Sequence, residues 1–314
     1  MVPVMLRIDW KGGSALFHRH LRRMLRDLPD PISGPLIRKG LVIKPSWVEG
    51  VLFKVADTRD ELEAAYGLVH DVYVDEGYED LRKPGVRVNL RYALPTTATI
   101  VGKIDDQVVI TLTIMGDSPL GLPMDMIFSR ELCKLRREGR WIAEIGALAS
   151  HPDFRRRQQA LALFADKAIT KYAIDCLEAD DMVIAINPKH VWVYKHLLLF
   201  ETISTDVREY RYVNDAPAVA MRLDLKTCRE RWNRAYRGRP EEGNFHSFYE
   251  RLDPVHIGIP QEKAPRPVWD EEMFSYFFDQ ENDPRREGCG SLEDLYRALD
   301  ALPGGFGPGA PMEA

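Results

Sequence analysis

Residues 141–201 read WIAEIGALASHPDFRRRQQALALFADKAITKYAIDCLEADDMVIAINPKHVWVYKHLLLFE, and this stretch decides the fold. Residues 141–149 are an apolar run with one ionisable member, Glu144, and the run stops at His151-Pro152, where proline cannot continue a ladder. Then the period changes. Phe154, Leu161, Phe164, Ala165, Ala168, Ile169 and Tyr172 recur at three- and four-residue steps among charged residues, which predicts an amphipathic helix capped by Asp153. Residues 182–186 are short and rich in Val and Ile, a buried strand, and Asn187-Pro188 is an N-cap followed by the residue best suited to a first helical turn. The unit is βαβα, with Glu144 on its first strand and Tyr194 on the helix after its second.

Upstream, residues 51–55 predict a strand and residues 58–75 a helix with Leu62, Ala65, Tyr66, Val69 and Tyr73 on one face. Residues 76–91, rich in Gly, Pro and charge, read as a mobile loop. The β-rich runs 97–102 and 108–115 flank Ile104-Asp105-Asp106-Gln107 and predict a hairpin. A punctuated loop at 117–125 leads into a helix that Gly139 ends. Downstream, residues 207–213 and 218–225 offer two closing strands, and there is no internal repeat.

At 314 residues the chain is long enough for a substantial core. Its organisation reads as an arm at 1–50, a central domain at 51–225, a helical extension at 226–301 and a disordered Gly- and Pro-rich tail at 302–314. A net charge of -5 argues against nucleic acid as the main partner. Cys133, Cys176, Cys228 and Cys289 lack CxxC spacing and an accompanying His pattern, which excludes a zinc signature, predicts no metal and fits free thiols in a reducing cytoplasm. No apolar run reaches the roughly 20 residues of a membrane span. The basic amphipathic segment 14–28 can lie on an anionic membrane, grip an acidic protein or pack on its own domain.

Three pieces, DSPLGLPMD at 117–125, AEIGALA at 143–149 and NPKHVWVYKHLLLFE at 187–201, resemble the long-chain N-acyl amino acid synthases. These belong with the acyl-homoserine-lactone synthases to the side of the GNAT acyltransferase fold that uses acyl carrier protein. The similarity covers about residues 51–225, with the pieces in order. It implies an α/β (α+β) fold with a GNAT-like mixed central sheet flanked by helices. It also implies transfer of a fatty acyl group from the phosphopantetheine thioester of acyl carrier protein to the amino group of an amino acid, with no bound cofactor.

Glu144 then has two readings. A carboxylate on an apolar strand has its pKa raised by desolvation towards useful basicity, and it matches the glutamate that the family carries there; equally, it can satisfy a buried Arg or backbone donors. Leu148, Ala149 and Ser150 fall where GNAT proteins splay two strands and free backbone N–H groups for the pantetheine arm. The small residues Gly146, Ala147 and Ala149 allow either that approach or close helix-sheet packing. Tyr194 is in the position from which GNAT enzymes protonate the departing thiolate, and its spacing with Val191 and Leu198 also suits a core tyrosine. Asn187 and His190 are candidates to contact the acyl-pantetheine arm or to fix the helix start. Tyr73, Tyr78 and Arg91 are candidates for the amino acid, the arginine through its carboxylate.

The departures from the family pattern also inform. CoA-using GNAT enzymes bind diphosphate through Arg/Gln-x-x-Gly-x-Gly/Ala, and here the run is Arg155-Arg156-Arg157-Gln158-Gln159-Ala160, with glutamine for the first glycine. The weakened clamp leaves Arg155, Arg156, Arg157 and Lys189 as a docking patch for an acidic carrier protein, or as a solvated basic face. Ile145-Gly146-Ala147 replaces the Ser-Arg of the lactone synthases and argues against S-adenosylmethionine. Leu199 stands where the family tends to have glycine, which questions the turn there. A CoA-dependent N-acyltransferase on another amine and a non-catalytic acyl or carrier-protein binding module are the rival readings.

Overall fold

The structure is a computed structural model, and it describes residues 28–80 and 85–251 together with short pieces between 253 and 301. The predicted helix at 14–28 and the tail at 302–314 lie outside the described residues, apart from Leu28 itself. Among the described residues nine strands form the sheet: β1 (Leu52–Val55), β2 (Thr97–Ile104), β3 (Gln107–Gly116), β4 (Ile142–Ser150), β5 (Asp181–Ile186), β6 (Glu201–Thr202), β7 (Arg208–Tyr210), β8 (Ala216–Asp224) and β9 (Ile257–Gly258). Their order is β6-β8-β5-β4-β3-β2-β1-β9, with β7 paired to β8. Neighbours are antiparallel except β4 with β5 and β1 with β9. This is the mixed sheet expected from the sequence.

The main helices are α1 (Asp30–Lys39), α2 (Arg59–Asp75), α3 (Asp125–Arg137), α4 (Gln158–Asp175), α5 (Val191–Val193), α6 (Cys228–Tyr236), α7 (Phe245–Glu250) and α8 (Glu271–Phe278). The sheet is covered on both faces. One apolar layer joins Phe164, Ala168 and Ile169 of α4 to Ile37, Trp232, Phe245 and the inward residues of β3 to β5. The other joins Tyr66, Val69, Phe128 and Leu132 of α2 and α3 to Val101, Met115 and Val183. Burying strands on both faces is what makes their sequences read as unbroken apolar runs.

The helix after β4 is not capped by Asp153. That residue sits in a 3₁₀ turn, Pro152–Phe154, and α4 starts only at Gln158. The intervening turn is tied elsewhere in the chain, because Arg157 donates Nε to Trp47 O at 3.0 Å and Nη2 to Glu49 O at 2.6 Å. Likewise the closing strand expected at 207–213 keeps only Arg208–Tyr210, and Arg211–Val213 turns as a 3₁₀ helix into the left-handed Asn214 and Asp215. The far end of the 76–91 loop is anchored, since Val88, Asn89 and Leu90 are buried and lead into a 3₁₀ turn, Leu90–Ala93.

The segment after Pro188 is three turns of different pitch. A 3₁₀ turn (Pro188–His190) passes into α5 and then a π turn, Tyr194–Leu198, that ends at Leu199 with φ 62°. The left-handed conformation explains why glycine suits this position, and Leu199 adopts it all the same. The widened π turn leaves carbonyls without helical partners, and α6 supplies them. Tyr236 Oη donates to Leu197 O at 2.7 Å, Trp232 Nε1 to Leu198 O at 2.9 Å and Arg231 Nη2 to Leu199 O at 2.8 Å.

Candidate active site

β4 and β5 share only three rungs, the last being Glu144 with Val183. Beyond it β5 keeps pairing with β8 as far as Ile186 with Val219, while β4 continues along β3, so the two parallel strands part and open a cleft. On the β3 side, Gly146 faces Thr113 and Ala149 faces Thr111, which leaves Ala147 and Leu148 opposite Leu112 alone. This is a β-bulge, and Ala147 takes φ 52° within it. The bulge turns the edge of β4 into the cleft just past Glu144.

The closed end of the cleft is held by charge. Arg140 donates to both carboxylate oxygens of the fully buried Asp181 and reaches Asp224 at 3.1 Å, so β4, β5 and β8 are tied together at their common end. Desolvation pushes the Asp181 carboxyl up, and the arginine bonds oppose that.

Glu144 is 4% exposed, and its Oε2 accepts the N–H of Met124 at 2.9 Å. Burial pushes its pKa up to about 8, a rise that the Met124 bond and the charge of Arg91 restrain. It lies beneath the N-terminus of α3, whose N-cap is Met124. That placement explains the DSPLGLPMD motif. Asp117 and Asp125, its two ends, both grip Arg136 of α3, at 2.6 Å each for the shortest contacts. Asp125 Oδ2 also accepts Leu122 N at 2.7 Å, and Gly121 turns at φ 61°, where an added Cβ would meet the same Oδ2 at 2.9 Å. The loop is a rigid mount for one N–H aimed at the buried carboxylate.

Arg91 belongs to the same mount. Its Nε and Nη2 donate to Gly121 O at 2.8 Å and Leu120 O at 2.7 Å, so its fork holds the loop.

Glu144 opens on a cavity of about 50 Å³ lined by the bulge, Asn187 and a group of aromatic residues, among them Tyr73, Tyr78, Tyr92, Tyr210 and Tyr212. The Tyr73 hydroxyl shares a hydrogen bond with the backbone of Ala147, and burial pushes its pKa up to about 12. Tyr78 packs edge-on against Tyr73 at 5.7 Å. Arg87 lies over Tyr73 and Tyr212, at 5.0 and 4.6 Å from the ring centroids. Asn187 keeps its capping role, its Oδ1 accepting Lys189 N at 3.1 Å.

Tyr194 is elsewhere. It lines a second, narrower cavity of about 20 Å³ on the α4 side of the cleft, with Leu148, Ala162, Leu163, Asp166 and Phe200. Ile145 borders both cavities. The second is apolar but for the Tyr194 hydroxyl, which burial keeps protonated by raising its pKa, and the Asp166 carboxyl, which burial pushes to about 6 and to which Tyr249 of α7 donates. Glu144 and Tyr194 are thus brought to one cleft from opposite faces of the sheet.

The other candidates fall outside these cavities. Ala149 is fully buried and Ser150 nearly so, at the end of β4, and His190 is buried in the 3₁₀ turn. Arg155, Arg156 and Lys189 are exposed, beside the ends of β4 and β5 where the cleft opens, whereas Arg157 is spent on the carbonyls of Trp47 and Glu49. Among the described residues no group of three or more His, Cys, Asp and Glu side chains could hold a metal ion, and no helix is long and apolar enough to cross a membrane. Sequence reasoning missed Met124, Arg87, Tyr210, Tyr212, Asp166 and Tyr249. The one local signal was the two-residue spacing of Tyr210 and Tyr212 within the strand expected at 207–213, although Tyr212 lies in the 3₁₀ turn after β7.

The family of the N-acyl amino acid synthase FeeM matches residues 64–224, which include the hairpin, the DSPLGLPMD mount, the bulge and the cleft. The chain belongs to the FeeM N-acyl amino acid synthase family. Its activity is accordingly that of an N-acyltransferase. Among solved structures, FeeM from uncultured soil microbes is 27% identical over 57% of this chain and 93% of its own, with a TM-score of 0.49. The CoA-dependent acyl-homoserine lactone synthase BjaI, solved with SAM and isopentyl-CoA, is 18% identical over 70% of this chain and 97% of its own, with a TM-score of 0.46. No curated protein matches the chain.

Proposed function

We propose that this member of the FeeM family transfers a long-chain fatty acyl group from the phosphopantetheine thioester of acyl carrier protein to the α-amino group of an amino acid. The observation that carries the reading is Glu144, a buried carboxyl with a pKa raised to about 8, set at the last rung before the strands part. A base in that range takes a proton from an ammonium near neutral pH. The freed nitrogen attacks the thioester carbonyl, a C–N bond forms, the C–S bond breaks, and the nitrogen releases a second proton as it becomes the amide, which replaces the proton given to the thiolate. The thiolate leaves with a proton, for which the protonated Tyr194 in the adjoining cavity is the candidate donor.

In this reading the acceptor occupies the aromatic cavity with Tyr73 and Tyr78 on its wall, and the acyl chain follows the apolar cavity beyond Leu148. Leu148, Ala149 and Asn187 flank the pantetheine arm, with His190 behind it. The exposed Arg155, Arg156 and Lys189 at the open end of the cleft present positive charge to an acidic carrier protein.

The test is mass spectrometry of the products formed from palmitoyl-carrier protein and a mixture of the common amino acids, with palmitoyl-CoA as parallel donor. An N-palmitoyl amino acid from the carrier protein alone is the expected result. Product from CoA alone would replace the donor, and no product from either would favour a binding module.

The acyl placement makes its own prediction. Ala162→Phe fills the cavity behind Leu148 and should move the palmitoyl-to-octanoyl preference towards the shorter chain by about 10- to 60-fold, as two or three methylenes lose burial at about 0.8 kcal/mol each. An unchanged preference in competition between the two donors would place the chain elsewhere.

A further inference from the structure

Tyr210, at the end of β7, carries a hydroxyl that is buried and has no hydrogen-bond partner, although the residue is only 4% exposed. Buried phenols are usually paired, because an unmade hydrogen bond forfeits the solvation of that group without return. The ring itself is well placed, paired through its backbone with Ala216 and tilted against Tyr212 at 5.7 Å. A phenylalanine would satisfy all of that packing. What the hydroxyl adds is a polar atom on the wall of the cavity that holds Glu144.

Burial raises the pKa of the Tyr210 hydroxyl well above its ordinary value, and the Glu144 carboxylate, on the wall of the same cavity, raises it further. A ligand group in that cavity must therefore tolerate a carboxylate. A substrate carboxylate would be repelled there, whereas an ammonium brings three N–H donors and positive charge.

Resting on the reading of the reaction given above, we infer that Tyr210 binds the acceptor: its hydroxyl oxygen accepts one N–H of the amino group while Glu144 takes the proton from another. The ammonium loses one proton to the Glu144 carboxylate and its freed lone pair forms the C–N bond as the C–S bond breaks; the nitrogen then releases a second proton, which replaces the one Tyr194 gives to the thiolate, and keeps its last N–H on Tyr210. The tyrosine fixes the direction of that lone pair and is not itself consumed or ionised. This is a role in recognition that the isolated motif sequences do not carry, since Tyr210 lies outside all three.

The experiment compares Tyr210→Phe with the wild-type enzyme by two readouts. In steady-state kinetics at saturating acyl donor, the KM for the amino acid should rise about 10- to 100-fold, the range for losing a hydrogen bond to a charged partner, while the KM for the donor stays unchanged. In thermal melting without substrate, the variant should melt at the same temperature or higher, because it no longer buries an unpaired hydroxyl. A lower melting temperature overturns the inference, since the hydroxyl would then be holding the fold. Wild-type turnover with an unshifted acceptor KM in the variant overturns it alone, whereas wild-type enzyme that forms no N-acyl amino acid overturns the reading of the reaction and the inference with it.

Discussion

Replacing Glu144 by glutamine should lower kcat/KM for the acceptor about 10²- to 10⁴-fold, the span over which a positioned general base contributes. The substitution is close to isosteric, and a glutamine Oε1 can still accept the Met124 N–H, so the mount formed by residues 117–125 stays in place. The loss is therefore expected in chemistry and not in folding. With the Glu144 pKa near 8, wild-type kcat/KM should rise as pH increases through about 8, as the carboxyl loses its proton and becomes a base. The glutamine variant should lack that rising limb. A pH profile unchanged by the substitution, or a rate within threefold of wild type, would remove Glu144 from the mechanism.

Stability carries the opposite sign. The native carboxyl holds its proton up to about pH 8, whereas in the unfolded chain it releases it near the usual glutamate value, so between these limits the native state binds more protons. Wild-type stability should thus fall as pH rises through this window, by an amount on the order of a few kcal/mol. Glu144→Gln removes the penalty, so the variant should gain over wild type in urea denaturation at pH 8.5 and not at pH 5. Activity and stability then trade against each other at one residue.

The second large effect lies well away from the cleft in sequence. Trp232→Ala should cost about 3–5 kcal/mol, the range for truncating a fully buried aromatic. Trp232 is 1% exposed, stacks on Tyr249 at 4.2 Å and donates Nε1 to Leu198 O. Its loss opens a hole between α6 and α7 and orphans a carbonyl of the π turn that carries Tyr194. Trp232→Phe keeps most of the stacking and should cost less, about 1–2 kcal/mol, chiefly the unmade hydrogen bond. The measurement is the urea midpoint of both variants. A Trp232→Ala protein within 1 kcal/mol of wild type would mean that α6 does not support the turn.

The alternation of periods in residues 141–201 is local information, and it placed two strands, the long helix and the Asn187 cap close to where they are. Glu144 was conspicuous because a single carboxylate in an apolar strand has few reasons to be there. Its setting was not legible. The partner at Met124, the brace of Arg136 on Asp117 and Asp125, and the engagement of Arg91 by Leu120 and Gly121 all join residues 11 to 30 positions apart by side-chain geometry. Arg91 read as a free fork for a carboxylate because nothing in its neighbours announces a loop that needs holding.

Chain periodicity by itself determined which segments are strand or helix and which faces are apolar, since both follow from spacings of two to four residues. Only the tertiary structure decided the candidate cleft. A strand pair that stops at its third rung, a bulge that puts Ala147 at φ 52°, and an extension whose side chains cap the turn from Leu197 to Leu199 leave no period in the sequence. They arise because polar groups freed where regular structure ends must find partners, and those partners come from wherever the fold has brought them.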